Sequence, residues 1–421
     1  MDANGSKSKH DIRMRGFMRR TTVGDALAWL DAQVAPLVDE VVPLAEAAGR
    51  VLAPDVQSQV NVPGFDRAMM DGYAVRAADT LGASSYNRLL LSLEGEALPG
   101  LTYAGDIKDG QALRIMTGAA IPTGADAVLP AEQSEIEQDR LYACGEVSPG
   151  KHVGRRGEDV RAGTTVLKAG RCLRPQDLGV LSSIGAAKIR VRKRPRVRIV
   201  VTGDELLPAG STPHEHRIAD ANGPMLESLV VRDGGLTLNP GIVRDEPDAI
   251  LKALRCQGDE ADVVLVSGGS SVGQEDHAPM LLAQHGELAV HGIAMRPSSP
   301  AGMGRLENRL VFLLPGNPVS CLCAYDFFAG RAIRALGGRR KDWPHHSTTL
   351  PLRRKLVSTI GRVDYARVQV MDGAVEPLAI SGASILTSTT RADGFVIVGD
   401  DSEGYPAGAQ VQVYLYDAVP I

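Results

Sequence analysis

The sequence predicts a multidomain chain: a central doubly wound α/β domain, a β-rich module inserted N-terminally to it, and a small C-terminal β barrel. Three observations carry this. At 421 residues the chain is too long for one ordinary core and fits about three domains of ~150 residues. From 196 to about 336, continuous apolar runs alternate with helix-patterned segments, which indicates a parallel sheet covered on both faces. Before and after that stretch come short strands punctuated by glycine and proline, as in all-β modules.

The first element is a helix, with Thr22 ahead of Val23, Ala26, Leu27, Leu30 and Val34 spaced on one face. Short β-like runs follow over 40–60 and end at Val62-Pro63-Gly64; glycine- and proline-bounded strands occupy 65–155. The charged, glycine-bearing stretch 154–159 leads to a helical segment at 175–184, and the texture changes at Arg192-Lys193-Arg194-Pro195. The α/β pattern then reads strand 197–201, helix 222–233, apolar run 236–243, helix 247–257, strand 263–266, helix 276–285, strand 310–314 and helix 319–336. Beyond His345-His346 the chain returns to short strands with turn residues such as Ser381-Gly382 and Asp393-Gly394.

Composition narrows the function classes. With 44% hydrophobic and 23% charged residues the chain has the balance of a globular protein. Aromatics are only 4%, so Val, Leu, Ile and Ala must fill the cores. A net charge of -4 offers no general attraction to nucleic acid or to an anionic membrane. No run approaches the ~18 apolar residues of a membrane span. The basic first twenty residues lack the apolar segment of a secretory signal, so 1–20 reads as a disordered tail. Five cysteines without CxxC spacing argue against a disulfide framework or a zinc site and favour a reducing, cytoplasmic setting. Cys321 and Cys323 read as small apolar packing residues.

Three of the parallel-type strands end in polar loops: 201–206 (VTGDEL), 267–273 (SGGSSVG) and 314–320 (LPGNPVS). In a doubly wound sheet such carboxyl-end loops share one edge, where ligands bind. Successive backbone N–H groups in a glycine-rich loop suit phosphate or another oxyanion, although ordinary turn chemistry explains each loop alone. Asp204, Glu205, Asp245 and Asp276 accompany them. If they converge, carboxylates ~5 Å apart repel by about 3 kcal/mol at an effective dielectric of about 20. A magnesium ion shared with substrate phosphates would relieve this; a cap role for Asp276 and a turn role for Asp245 are the other reading. In the β module, 65–75 and 114–127 place Asp66, Asp71 and Thr117 in hairpin-like turns.

Taken in order, MDGYAV at 70–75, RIMTGA at 114–119, GEDV at 157–160, VTGDEL at 201–206, Asp220 with Asn222, RDEP at 244–247, SGGSSVG at 267–273 and LPGNPVS at 314–320 resemble the molybdopterin molybdenumtransferase family (MoeA-type), which includes the E domain of gephyrin. The resemblance runs from about Thr22 to the C-terminus. It implies a central domain of the molybdopterin-binding type and four domains in an elongated homodimer: 21–60 with 156–193 as a discontinuous N-terminal domain, 61–155, 194–340 and 341–421. The implied activity inserts molybdate into adenylylated molybdopterin, with Mg²⁺-dependent release of AMP; molybdopterin adenylate and molybdate are substrates. A molybdopterin adenylyltransferase is a candidate partner.

Residue by residue, the resemblance gives catalytic roles to Asp71 and Thr117, acting across the dimer interface, and to Glu205, Asp245 and Asp276. Glu205 and Asp276 would hold metal. Gly268, Gly269, Ser270, Ser271, Gly273, Pro315, Gly316, Asn317, Pro318 and Ser320 would shape the pterin nucleotide cleft. Arg296, Ser299, Ser320, Arg367 and Ser384 would contact the oxyanion. Three departures matter, the first being Arg67-Ala68-Met69-Met70 ahead of Asp71 where the family usually has Ser-Ala-Met. The family's K-P-G-K-P segment stands here as Arg296-Pro297-Ser298-Ser299-Pro300, and Gly292 occupies a position commonly held by lysine. Arg296 replaces a mobile point donor with a planar fork, and Ser299 carries no charge. Arg67, Arg155, Arg156 or His291 would be the compensating cations. The alternative reading is therefore a paralogue that binds or carries the mature molybdenum or tungsten cofactor without turnover.

Overall fold

The computed structural model describes residues 20–138, 140–255, 261–268, 277–379 and 382–417. The chain divides into two compact units. One comprises Met1–Glu40, Gly49–Val51 and Arg192–Ile421; the other comprises Val41–Ala48 and Leu52–Val191.

The second unit is built on a six-stranded sheet in the order 127–130, 72–75, 111–115, 89–97, 140–143, 134–137. Alternation sorts its side chains by face. Tyr73, Val75 and Ala112 pack in one core with Leu91, Leu129 and Leu141. Ala74, Leu113 and Ile115 pack in another with Val128 and Val153. Gly72 begins the central strand because nothing larger fits: a Cβ there would stand 2.1 Å from the Leu129 carbonyl oxygen. A third core gathers Leu52, Leu167, Leu173, Leu181, Ile189 and Val191 beside the antiparallel pair Val56–Gln57 and Thr165–Leu167. The helix Pro175–Ser183 contributes Leu181, and Asp177 in its first turn is gripped by Arg171 Nε and Nη2 at 2.9 and 2.8 Å.

In the larger unit the helix Val23–Gln33 starts as its sequence indicates, with Thr22 Oγ1 accepting from the Asp25 N–H at 3.0 Å. The central sheet runs 236–238, 196–202, 263–267, 309–314, 302–306, 287–291, with 242–243 also paired to 196–202. Alternation again gives two faces. Val197, Ile199, Val201, Val263, Leu265 and Phe312 face a core shared with the helices Val23–Gln33 and Asn222–Arg232 and the helical stretch 318–336. Val200, Val264, Val266, Val311 and Leu313 face a core made with Pro247–Arg255 and His277–His285. Both faces are therefore covered, as the continuous apolar runs require.

Two expectations need refinement. The sheet is mixed: Gly302–Leu306 lies antiparallel to Arg309–Leu314, and Glu287–His291 antiparallel to Gly302–Leu306. Only Glu307, at φ 55°, and Asn308 separate the first pair, and a two-residue loop can join only antiparallel strands. The expected helix 319–336 is interrupted by a π segment, Tyr325–Ala329, between Pro318–Ala324 and Gly330–Leu336.

C-terminally, strands 363–371, 394–398, 410–415 and 346–351 run antiparallel, with 374–379 beside 363–371. A bridge from Leu352 to Val375 joins the two ends and closes the sheet around Leu356, Ala366, Val368, Val396 and Val413. Met295–Arg296, from the α/β stretch of the chain, adds a parallel strand to Val363–Met371.

Candidate functional site

The register of the central sheet brings the loops together. Val201 pairs with Ser267, Ser267 with Leu314, and Thr202 with Val243, so the loops that follow leave from adjacent positions on one edge. Asp204 and Glu205 are exposed and Asp245 is half-buried there; the Asp245 N–H lies 3.5 Å from Asp204 Oδ1. Gly268, at φ 104°, closes against the neighbouring loop, and a Cβ on it would sit 2.3 Å from the Thr202 carbonyl oxygen. Gly316 is its neighbour across the edge. Gly269, Ser270, Ser271, Gly273 and Asp276 lie outside the described residues.

One side chain ties this edge together. Asn222 Nδ2 donates to Ser267 Oγ at 2.9 Å and to the Gly316 carbonyl at 2.7 Å. Asp220 Oδ1 sets its position by accepting from the Asn222 and Gly223 N–H groups, both at 2.9 Å. Sequence reasoning saw Asp220 and Asn222 only as a motif; their two-residue spacing before an apolar helix was the signal for this capping arrangement. Asn222 Oδ1 and Thr202 Oγ1 are buried with no hydrogen-bond partner among the described residues. Buried polar atoms left open at this edge call for a partner, which bound water or a ligand can supply. Ser267 Oγ also lies 3.9 Å from Cys321 Sγ, and burial pushes that thiol up to about 12.

The segment assigned to the oxyanion is placed against the same helix start. Pro315 and Ser320 are buried, Pro318 half-buried, and Gly316 and Asn317 exposed. Ser298 Oγ donates to the Ser320 carbonyl at 2.5 Å, although Ser298 holds a left-handed φ of 86°; a glycine at this position would take that conformation without strain. Ser299 Oγ is buried and has no partner among the described residues. The Val319 N–H donates to the Ala383 carbonyl at 3.0 Å, which brings exposed Ser384 beside this helix start. Arg296, in contrast, is engaged: its Nη2 lies 2.5 Å from Asp364 Oδ2, a fully buried carboxylate that also accepts from Ser358 at 2.7 Å. Arg367 is 0% exposed and reaches no open cleft in this conformation; its charge is felt at the Cys323 thiol.

In the other unit, the antiparallel pairing of Gly72 with Ile115 sets Asp71 beside the turn at 116–119. Asp71 Oδ1 accepts from the Thr117 N–H at 2.8 Å and from its hydroxyl at 2.6 Å. Those two donors, the hydroxyl first, hold the Asp71 carboxyl below its usual range. Two of the four cations considered as compensators are paired within this unit: Arg67 with Glu158 at 3.3 Å, and Arg155 with Asp66 at 2.9 Å.

Comparison with known proteins now decides the family. Residues 21–185 match the MoeA N-terminal region (domains I and II), 198–335 a probable molybdopterin binding domain, and 349–416 the MoeA C-terminal region (domain IV). This chain belongs to the MoeA family. It is 32% identical over 387 residues to the molybdopterin molybdenumtransferase of Haemophilus influenzae, covering 90% of this chain and 94% of the relative. It is 34% identical over 384 residues to molybdopterin molybdenumtransferase 2 of Mycobacterium tuberculosis, covering 89% and 94%. The crystal structure of the molybdopterin biosynthesis MoeA protein from Pyrococcus horikoshii superposes with a TM-score of 0.81 at 30% identity, over 95% of this chain and 100% of that one. As a MoeA-family chain it carries no described helix long and apolar enough to cross a membrane.

Proposed function

We propose that this protein is a molybdopterin molybdenumtransferase, inserting molybdate into adenylylated molybdopterin with release of AMP. The observation that carries the reading is the single sheet edge where Asp204, Glu205 and Asp245 meet the glycine loops, with Asn222 Oδ1 and Thr202 Oγ1 left as open acceptors. Relatives that bear the transferase name match over nine-tenths of their length.

The donor set fits magnesium. It consists of hard carboxylate oxygens, from Glu205 at the described edge and from Asp276, which lies outside the described residues. That suits an ion held by one or two carboxylates and completed by water and phosphate. Glu205 and Asp276 are the proposed ligands. When bound, the ion would neutralise charge on the phosphate that departs as AMP. The protein's own groups do the rest: Asn222 fixes the Gly316 carbonyl and the Ser267 hydroxyl, Gly268 lets the backbone approach the ligand, and Ser299, Ser320 and Ser384 offer hydroxyls to the oxyanion. Asp71 and Thr117 form an acid and hydroxyl pair for the same reaction, and the assembly proposed is a homodimer in the cytoplasm.

Purified protein given molybdopterin adenylate, Mg²⁺ and molybdate should release AMP and yield active cofactor, and Glu205→Gln should remove turnover without unfolding the chain. Bound substrate with neither product would refute the transferase reading. The pairing of Arg296 with Asp364 favours one alternative, a carrier of the mature molybdenum or tungsten cofactor. Competition between molybdate and tungstate, with and without turnover, separates the two.

A further inference from the structure

A cavity of about 500 Å³ opens in the larger unit, and its lining shares no residue with the sheet-edge loops. Its volume is that of an ordinary small-molecule pocket. In a chain whose aromatic content is only 4%, its wall is unusually rich in rings. Trp343 stands edge-on to Phe327 at 4.9 Å and lies 5.7 Å from Tyr414, with Leu27 and Ile397 completing an apolar lining.

Three polar groups at this cavity are incompletely bonded, Asp326, His345 and Arg334, whose Nε is buried without a partner among the described residues. Asp326 is 2% exposed. Its Oδ1 accepts from Arg232 Nη2 at 2.7 Å, while its Oδ2 has no partner among the described residues. His345 Nε2 lies 3.4 Å from Arg232 Nη1. A guanidinium can only donate, so Nε2 accepts, and the ring proton of the neutral imidazole sits on Nδ1. Burial, the largest influence on this ring, favours the neutral form. Nδ1 is buried and likewise unpartnered among the described residues. The arginines at the cavity are already committed: Arg331 forks onto Asp31 at 2.7 and 2.9 Å, and Arg334 holds Asp233 at 2.9 Å. Each guanidinium charge is thus matched by a carboxylate, and Arg334 Nε is left as a further open donor. What remains open is one buried acceptor and two buried donors beside the ring walls, with Asp342 and Ser347 also in the lining.

We propose that this cavity binds a planar heterocycle with a lactam edge, its ring N–H donated to Asp326 and its ring carbonyl accepting from His345, with the ring against Trp343 and Tyr414. Guanine, uracil and pterin rings share that edge. The proposal is independent of the function assigned to the sheet-edge loops.

The test titrates the full-length protein with guanosine, uridine and a free pterin by calorimetry, with cytidine and 1-methylguanosine as ligands lacking the ring N–H. At least one of the three should bind saturably below 1 mM, and the ligands without the N–H should bind at least tenfold more weakly. Leu27→Trp, which fills the cavity from a half-exposed helix position, should weaken binding at least tenfold. Asp326→Asn should do the same, provided its circular dichroism matches wild type. The ligand that binds identifies the source. No binding by any of the three, equal binding of the methylated control, or binding untouched by Leu27→Trp would overturn the proposal.

Discussion

Asn222→Ala probes the joint on which the sheet edge depends. The substitution deletes two hydrogen bonds, to Ser267 Oγ and to the Gly316 carbonyl, each with a net value of about 1 kcal/mol. It also leaves the Ser267 hydroxyl, in a residue 1% exposed, with only the Cys321 thiol at 3.9 Å; stranding such a group costs about 1–3 kcal/mol. Against this, the unpartnered Asn222 Oδ1 disappears with the side chain, which returns about 1 kcal/mol. The balance is a destabilisation of about 2–4 kcal/mol. Equilibrium urea unfolding of the whole chain, followed by two independent probes because several domains need not unfold together, should show an earlier transition. Asn222→Asp, which keeps the shape but loses both donors, should move it in the same direction. An unchanged midpoint in both variants would show that the amide does not brace this edge.

Other outcomes follow from single contacts. Gly72→Ala drives a Cβ to within 2.1 Å of the Leu129 carbonyl and should lower the stability of its unit by about 1–3 kcal/mol in thermal melts; a wild-type melt would contradict the close approach. Asp177 is held far below the ordinary carboxylate range, first by Arg171 and then by Arg174. A lowered native value adds stability above the unfolded value of about 3.9 and loses it as pH falls through the native one. The deficit of Asp177→Asn, about 1–3 kcal/mol at pH 7, should therefore shrink progressively below about pH 4, and a deficit constant with pH would count against the ion pair. Thr117→Val should raise the Asp71 titration midpoint seen by carboxyl NMR, since the hydroxyl is the larger of its two lowering influences. At pH 8 a maleimide should label exposed Cys172 but neither Cys321 nor Cys323, whose burial shields the thiols and suppresses their ionisation; labelling of either in native protein would refute their burial.

What the sequence revealed and what it hid divide along a physical line. Continuous apolar strands such as 263–266 and 310–314 announce burial on both faces, and a strand that ends in a polar glycine loop announces the ligand edge, because both signals are local. The antiparallel strands were less legible: Gly302-Met303-Gly304 has too few apolar side chains for periodicity, and the loop at Glu307-Asn308 resembles many others. Partners distant in the chain were not legible at all. Nothing near Arg296 indicates that Asp364 neutralises it, and nothing in Asp233, Asp326, Arg232 or Arg334 alone shows that they form one buried network. A charge in a motif suggests a role for a ligand, whereas the fold decides whether another residue claims it first.

The two-residue strand Met295–Arg296 has a consequence for dissection of the molecule. Because its backbone pairs with Val363–Asp364 and its guanidinium satisfies a carboxylate with 0% side-chain exposure, the C-terminal sheet is no detachable appendage. A fragment that ends near residue 340 would expose a bare strand edge and a stranded cation on the very segment that leads to Ser298 and Ser299. Such a piece should be prone to aggregation and a poor surrogate for the intact chain in any binding experiment.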